Sequence, residues 1–128
     1  MSYYISKKLN CSFEEAIDKV TAALASEGFG ILTEINVNET LKKKLNVDFY
    51  RYQILGACNP PLAYEALQSE DKIGVMLPCN FIVQEKIAGK IEVSAVNPTS
   101  SMSAVKNDNL AQIAQNVQQK LQTVIDKL

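Results

Sequence analysis

Two of the three cysteines stand in closely similar sequence surroundings, each beside an asparagine and a proline. Cys58 is followed by Asn59 and Pro60, while Cys79 follows a proline and precedes Asn80. A pair of thiols can support disulfide exchange or the binding of a soft metal ion. A buried cysteine that only fills space as a small hydrophobic residue is the competing interpretation. The candidate thiol or ligand site consists of Cys58, Asn59, Pro60, Cys79 and Asn80.

Histidine is absent from the chain, and this limits the chemistry available to the thiols. Serine–histidine and cysteine–histidine nucleophile pairs are excluded, as are histidine-ligated zinc, iron and haem sites. Two thiolates do not complete a tetrahedral zinc site, and a symmetric dimer would supply four only if both cysteines lay near its axis. We therefore predict no catalytic residue and no metal site, lean against an enzyme, and leave any cofactor unknown.

Length, charge and hydropathy narrow the class of protein further. The 128 residues fit a single domain over 1–128, and the net charge of −1 is unlike the basic balance of a nucleic-acid-binding protein. There is no apolar run of roughly 18 residues that would cross a membrane, and the N-terminus lacks the order of a signal peptide. An odd number of cysteines is typical of thiols rather than of a disulfide framework. We expect a cytoplasmic protein that binds neither nucleic acid nor membrane.

The elements that must position the thiols are predicted by periodicity. Ser12 with Glu15 forms a capping box before an apolar stripe at helical spacing, and a longer stripe follows Asp108, a candidate cap. Pro60 and Pro61 begin a short helix that Asn59 caps. Because neither proline has a backbone N–H group, the start of this helix has few donors for an anion. Ile73–Lys86 is predicted to be one long strand. The fold class is α+β, with helices near residues 12–27 and 108–128 on one face of a mainly antiparallel sheet.

Alternation along the strands predicts which side chains face the helices. Cys58 falls in phase with Tyr52 and Ile54, and Cys79 with the apolar face of its own strand, so both thiols are expected beneath the helices. Glu34 and Arg51 are expected on the opposite, less apolar face. That open sheet surface would bind a ligand, pair with a second subunit or face water, and a charged cross-strand pair there is worth under about 1 kcal/mol.

Four ordered blocks of the sequence resemble the domain-of-unknown-function family numbered three-hundred-and-two. The blocks are residues 28–35, 40–42, 54–63 and 77–80. The resemblance implies a TATA-binding-protein-like α+β fold and no established activity. It does not imply DNA binding, because function has to be argued from a site rather than from a fold.

The function predicted from these observations is non-catalytic: small-ligand binding, or assembly into a homodimer. Leu32, Leu55, Ile82 and Val96 are predicted on the sheet face that the helices leave open, and an uncovered apolar face tends to bind a partner. The alternative function is thiol-based redox chemistry or soft-metal handling by Cys58 and Cys79.

Overall fold

The structure is a computed structural model that describes residues 2–128; Met1, which the single-domain prediction included, lies outside the described residues. These residues form five strands, five α-helices and one 3₁₀ helix. In order they are β1 (Tyr4–Leu9), α1 (Phe13–Ser26), β2 (Gly30–Asn36), α2 (Val37–Leu45), β3 (Arg51–Cys58), α3 (Pro60–Ser69), a 3₁₀ helix (Ile73–Met76), β4 (Cys79–Ile87), β5 (Lys90–Val96), α4 (Pro98–Ser101) and α5 (Asp108–Asp126).

The strands form one antiparallel sheet in the order β1-β5-β4-β3-β2. Strands β2 to β5 are neighbours in both sequence and space, and a tight turn at Gly89, with φ +81°, joins β4 to β5. β1 comes from the other end of the chain and pairs with β5, where the Ser6 and Ser94 hydroxyls are hydrogen-bonded. The predicted α+β class with an antiparallel sheet is confirmed.

Helices α1 and α5 cover the same face of the sheet, as predicted. The capping box is present, since Ser12 Oγ accepts from the Glu15 N–H at 3.1 Å and α1 ends before Gly28 at φ +82°. The main core lies between these helices and the sheet. Its fully buried side chains include Val20 and Leu24 of α1, Leu55, Phe81 and Val93 of the sheet, and Leu121 and Val124 of α5.

A second apolar cluster, the α3 cluster, lies beside the main core. It consists of Ala66, Ile73, Met102, Leu110 and Ala114. The first half of α5 packs here against α3 and the segment around α4. The α5 cap is Asn107 and not Asp108: Asn107 Oδ1 accepts from the Leu110 N–H at 3.1 Å, which leaves Asp108 in the first helical turn.

The prediction of which face of β3 the helices cover is wrong. Leu55 pairs with Phe81, and Ala57 with Cys79, in the layer that α1 and α5 bury, so Tyr52 and Ile54 point to the opposite face. Apolar residues occupy both faces of β3, and alternation alone therefore did not decide which face the helices cover. The earlier assignment of Leu55 to the open face is corrected accordingly, because Leu55 is fully buried.

The predicted strand Ile73–Lys86 begins only at Cys79. The first four of its residues form the 3₁₀ helix, and a cis Leu77–Pro78 peptide leads into β4. The amides of Ile73, Val75 and Leu77 donate to carbonyls within this local turn, so they do not pair with β3, whose ladder with β4 ends at Cys79. Of the helices formed by residues 2–128, none combines the length and apolar character of a membrane span.

Candidate ligand cavity

A cavity of about 340 Å³ lies where the sheet ends and α3 faces α5. Leu62 and Ala66 of α3 line one wall and Leu110 and Val117 of α5 line another. Ala57, at the end of β3, lies against the floor. The cavity exists because β3 ends and β4 begins at this edge of the sheet, while the first half of α5 lies beyond that edge and packs on α3.

The lining of the cavity is apolar, and its one amide side chain, Asn59, is already engaged. Asn59 Oδ1 accepts from the Leu62 N–H at 3.3 Å and caps α3 as predicted, while Nδ2 donates to the Glu27 carbonyl at 3.4 Å. These bonds join the start of α3 to the end of α1. The cavity is therefore suited to hydrocarbon and offers little to a ligand that needs hydrogen bonds.

The two thiols of the candidate site both line the cavity. Cys58 is the last residue of β3 and half-buried, whereas Cys79 is the first residue of β4 and buried. Burial, and to a lesser extent the neighbouring Cys58, raises the pKa of the Cys79 thiol to about 11. Cys79 is therefore neutral near pH 7, the form in which a cysteine packs as a small apolar residue.

The remaining residues of the candidate thiol site do not all join the cavity. Pro60 is exposed at the first position of α3. Asn80 is exposed on the opposite face of the sheet, next to Gly56 in the β3–β4 register. Among the five predicted residues, Cys58, Asn59 and Cys79 are brought together, because the strand ends and the α3 cap meet at this point.

Glu34 and Arg51 do not form an open sheet surface, and this prediction is corrected. Arg51 lies on the helix-covered side, where Nη2 is 2.8 Å from Glu14 Oε1 and the guanidinium is 4.1 Å from the Phe13 ring centroid. That ion pair lowers the pKa of Glu14, chiefly through the hydrogen bond from Arg51. Glu34 pairs with Leu55 and so shares the same side at the sheet edge. The wrong face assignment of β3 misplaced Arg51, whereas the register shift between Ile31 and Thr33 in β2 put Glu34 on the side of Leu55.

The face of the sheet opposite the helices, called the open face from here on, is partly apolar. Tyr4, Tyr52, Ile82 and Val96 border a shallow concavity there, together with Asn80. An aromatic group stands at one end of this face, with the Phe49 and Tyr50 centroids 4.1 Å apart and Tyr50 and Tyr52 6.1 Å apart. Ile82 and Val96 therefore lie where the sequence placed them, on the uncovered side.

Sequence reasoning missed the contribution of α5 to the cavity. The stripe after Asp108 predicts packing on the sheet, yet four of its residues line the cavity: Leu110, Ile113, Ala114 and Val117. Helix α5 has 19 residues and spans about 28 Å, so it can pack on the sheet with one half and on α3 with the other. No group of three or more cysteine, aspartate or glutamate side chains in residues 2–128 is arranged to hold a metal ion.

The fold and the cavity define a small α+β domain in which helices cover one face of a five-stranded antiparallel sheet. The chain belongs to the family described as "Domain of unknown function DUF302", whose model matches residues 5–128. It is similar to the crystal structure of an uncharacterised conserved DUF302 protein from Bacillus stearothermophilus. The identity is 26%, the TM-score 0.92, and the match covers 99% of this chain and 98% of that one. No curated protein sequence matches the chain.

Proposed function

We propose that the domain binds a small apolar molecule in the cavity between α3 and α5. The observation that carries the proposal is a cavity of about 340 Å³ whose walls are almost wholly hydrocarbon. Ligand sites are typically concave, apolar and of about 300–1,000 Å³. A cavity of about 150 Å³ lined by aliphatic and aromatic side chains holds one benzene, so this one accepts a molecule roughly twice that size.

The free energy available is modest and sets the expected affinity. Removing about 200 Å² of apolar ligand surface from water contributes about 5 kcal/mol at 25 cal/mol per Å². The ordering of the ligand offsets part of that gain. Dissociation constants on the order of a millimolar are therefore expected.

Methyl-resolved NMR with toluene as a compact apolar probe tests this function. Methyl signals of Leu62, Leu110 and Val117 should shift on titration, while those of Leu24 in the main core should not. Ala63→Leu places extra volume in the cavity wall and should abolish the shifts, whereas the matched change Ala111→Leu on the exposed side of α5 should leave them. The proposal would be overturned if toluene shifted no methyl signal of the wild-type protein.

Assembly into a homodimer through the open face is a second candidate function. It is supported by the apolar side chains Tyr4, Ile54 and Ile82, which no helix covers. Five strands about 4.8 Å apart span roughly 19 Å from the first to the last, so an interface of the standard ~800 Å² per partner would need the whole face. Such a dimer would leave the cavity free, because the cavity lies on the other side of the sheet.

Sedimentation of an open-face variant tests assembly. Ile82→Lys should shift a wild-type dimer to monomer, because a buried unpaired ammonium is costly in an interface. Val75→Lys changes a side chain that is 87% exposed and lies outside the open face, so it should not alter the assembly. A wild-type protein that stays monomeric at high concentration would remove this candidate.

The thiol alternative is supported by one finding and opposed by another. Cys58 and Cys79 line the same cavity, as exchange or soft-metal binding would require. The raised pKa of Cys79 opposes it, because the thiolate is the reactive and metal-binding species. Alkylation at neutral pH decides between them: thiol chemistry requires Cys58 and Cys79 to react faster than the half-buried Cys11, which lies outside the cavity.

A further inference from the structure

The cavity lies against one stripe of side chains on α5. Its lining from this helix recurs at Leu110, Ile113, Ala114 and Val117, the spacing of one helical stripe over two turns. Two turns rise about 10 Å, so a methylene chain laid along this stripe would contact all four side chains.

The chemistry of the walls also favours a chain. The side chains from α3 and α5 that line the cavity are aliphatic, and Phe29 is its one aromatic residue in the described part of the chain. Aromatic ligands gain from offset or edge-on contacts with rings, and that gain is small here. Aliphatic walls give a methylene chain as much apolar contact as they give a ring.

Apolar surface continues out of the cavity at its rim. Leu32 and Leu67 line the cavity and yet remain 67% and 43% exposed. Gly74 and Leu77 also line it, and the two residues between them, Val75 and Met76, are 87% and 40% exposed. An exposed apolar rim next to an apolar cavity is what a ligand longer than the cavity would cover.

A polar end group on such a ligand has to remain outside. The amide of Asn59 is engaged at both of its ends, and Cys79 is a neutral thiol. An end group drawn into the cavity would lose its hydrogen bonds to water without replacing them. At the rim it stays hydrated.

We propose that the ligand is a single unbranched aliphatic chain with a polar end group, of the class of medium-chain fatty acids and alcohols. The chain lies along α5 between Leu62 and Val117, and its polar end projects past Leu32 and Leu67. This inference rests on the proposed function and specifies its ligand class.

Calorimetric titration of the wild-type protein with hexanoate, octanoate, decanoate and dodecanoate, each below its micelle concentration, tests the ligand class. Each added methylene should tighten binding about fourfold, since burying one methylene contributes about 0.8 kcal/mol, until the chain fills the cavity and rim. Decanol against decanoate separates the end groups: equal affinity assigns recognition to the chain alone, and tighter binding of either adds an end-group contact at the rim.

Two variants locate the chain. Ala63→Leu should weaken decanoate binding at least tenfold, and Ala111→Leu should leave it unchanged. Should Ala63→Leu fail to fold by circular dichroism, Ala114→Val fills the same cavity from α5 with a smaller change. Toluene binding without any dependence on chain length would overturn this inference and keep the proposed function. Failure of toluene and of every chain would overturn both.

Discussion

The main core and the α3 cluster share one helix but are packed differently. In its second half α5 contributes Leu121 and Val124, both fully buried against the sheet and α1. In its first half it contributes Leu110 and Ala114, which are buried, and Ile113, which stays half-buried beside the cavity. The difference follows from what lies beneath: strands under the second half, and α3 beyond the strand ends under the first. Sheet and helix interlock closely, whereas two helices bridged by loops leave space between them.

The largest test of this contrast places the same kind of truncation in both halves of α5. Leu121→Ala should cost about 3 kcal/mol or more, because the cavity it leaves in the main core cannot collapse. Ile113→Ala should cost about 1 kcal/mol, since its side chain is half-buried beside existing space. Urea unfolding with unchanged m values measures both. Equal losses would show that the two regions are packed alike.

The end of β3 beside the cavity should be nearly as sensitive to substitution. Gly56 lies in β3 where a Cβ would meet Thr33 Oγ1 and would come within 2.7 Å of Pro78 Cγ. Gly56→Ala should therefore destabilise the fold by up to about 3 kcal/mol through overpacking. Gly30→Ala on β2 is the matched control, because no described atom lies within 4 Å of its Cβ, and it should change stability by less than about 0.5 kcal/mol.

A smaller effect is expected from the bonds that close the α3 cluster. Asn107 caps α5 and its Nδ2 also donates to the Ser69 carbonyl at 2.7 Å, so one side chain ties α5 to the end of α3. Asn107→Ala should cost about 2 kcal/mol, a cap plus a second hydrogen bond. Asn36 caps α2 through its Oδ1 at 3.0 Å from the Glu39 N–H, and Asn36→Ala should cost about 1 kcal/mol. Thermal melts of the two variants would match if the tie contributed nothing.

The smallest expected effect is the change of folding stability with pH that comes from Cys79 in the cavity. Burial raises the pKa of Cys79 from 9.0 to about 11, so between these values the folded protein holds a proton that the unfolded chain has lost. Stability from this group is complete below pH 9 and falls by about 1.4 kcal/mol per pH unit above it. Cys79→Ala should flatten this part of the unfolding curve between pH 9 and 10. The same slope in wild type and variant would assign the loss to other groups.

The sequence predicted the scaffold better than the site. Long stripes with clear caps, such as Ser12 with Glu15, fixed the helices because an amphipathic helix needs one buried face. Strand β3 misled, since Ile54 and Leu55 are equally apolar and only packing against α1 decides which is covered. The strand predicted over Ile73–Lys86 was too long at its start, because its apolar alternation does not show that Ile73–Met76 close into a 3₁₀ helix.

The cavity itself was out of reach of pattern reasoning. Cys58 and Cys79 both line the cavity, although Cys58 alternates with Ala57 and is not on the helix-covered face that was predicted for it. The walls come from Leu62 of α3 and Leu110 of α5, which are far apart in sequence. Their spacing depends on where β3 and β4 stop. A sequence pattern gives the face of each element but not the gap between two of them.

The pairing of β1 with β5 has a consequence for how the chain is made. Ser6 and Ser94 are 88 residues apart, while every other strand pairs with its sequence neighbour. Closing so long a loop costs more entropy than closing a hairpin, so the local meander has the kinetic advantage. Strand β5, with Ile91 and Val93, is then an unprotected apolar edge until β1 arrives. β1 precedes the other four strands in the sequence, yet it is the last to join the sheet. Until it pairs with β5, that edge can pair with other chains.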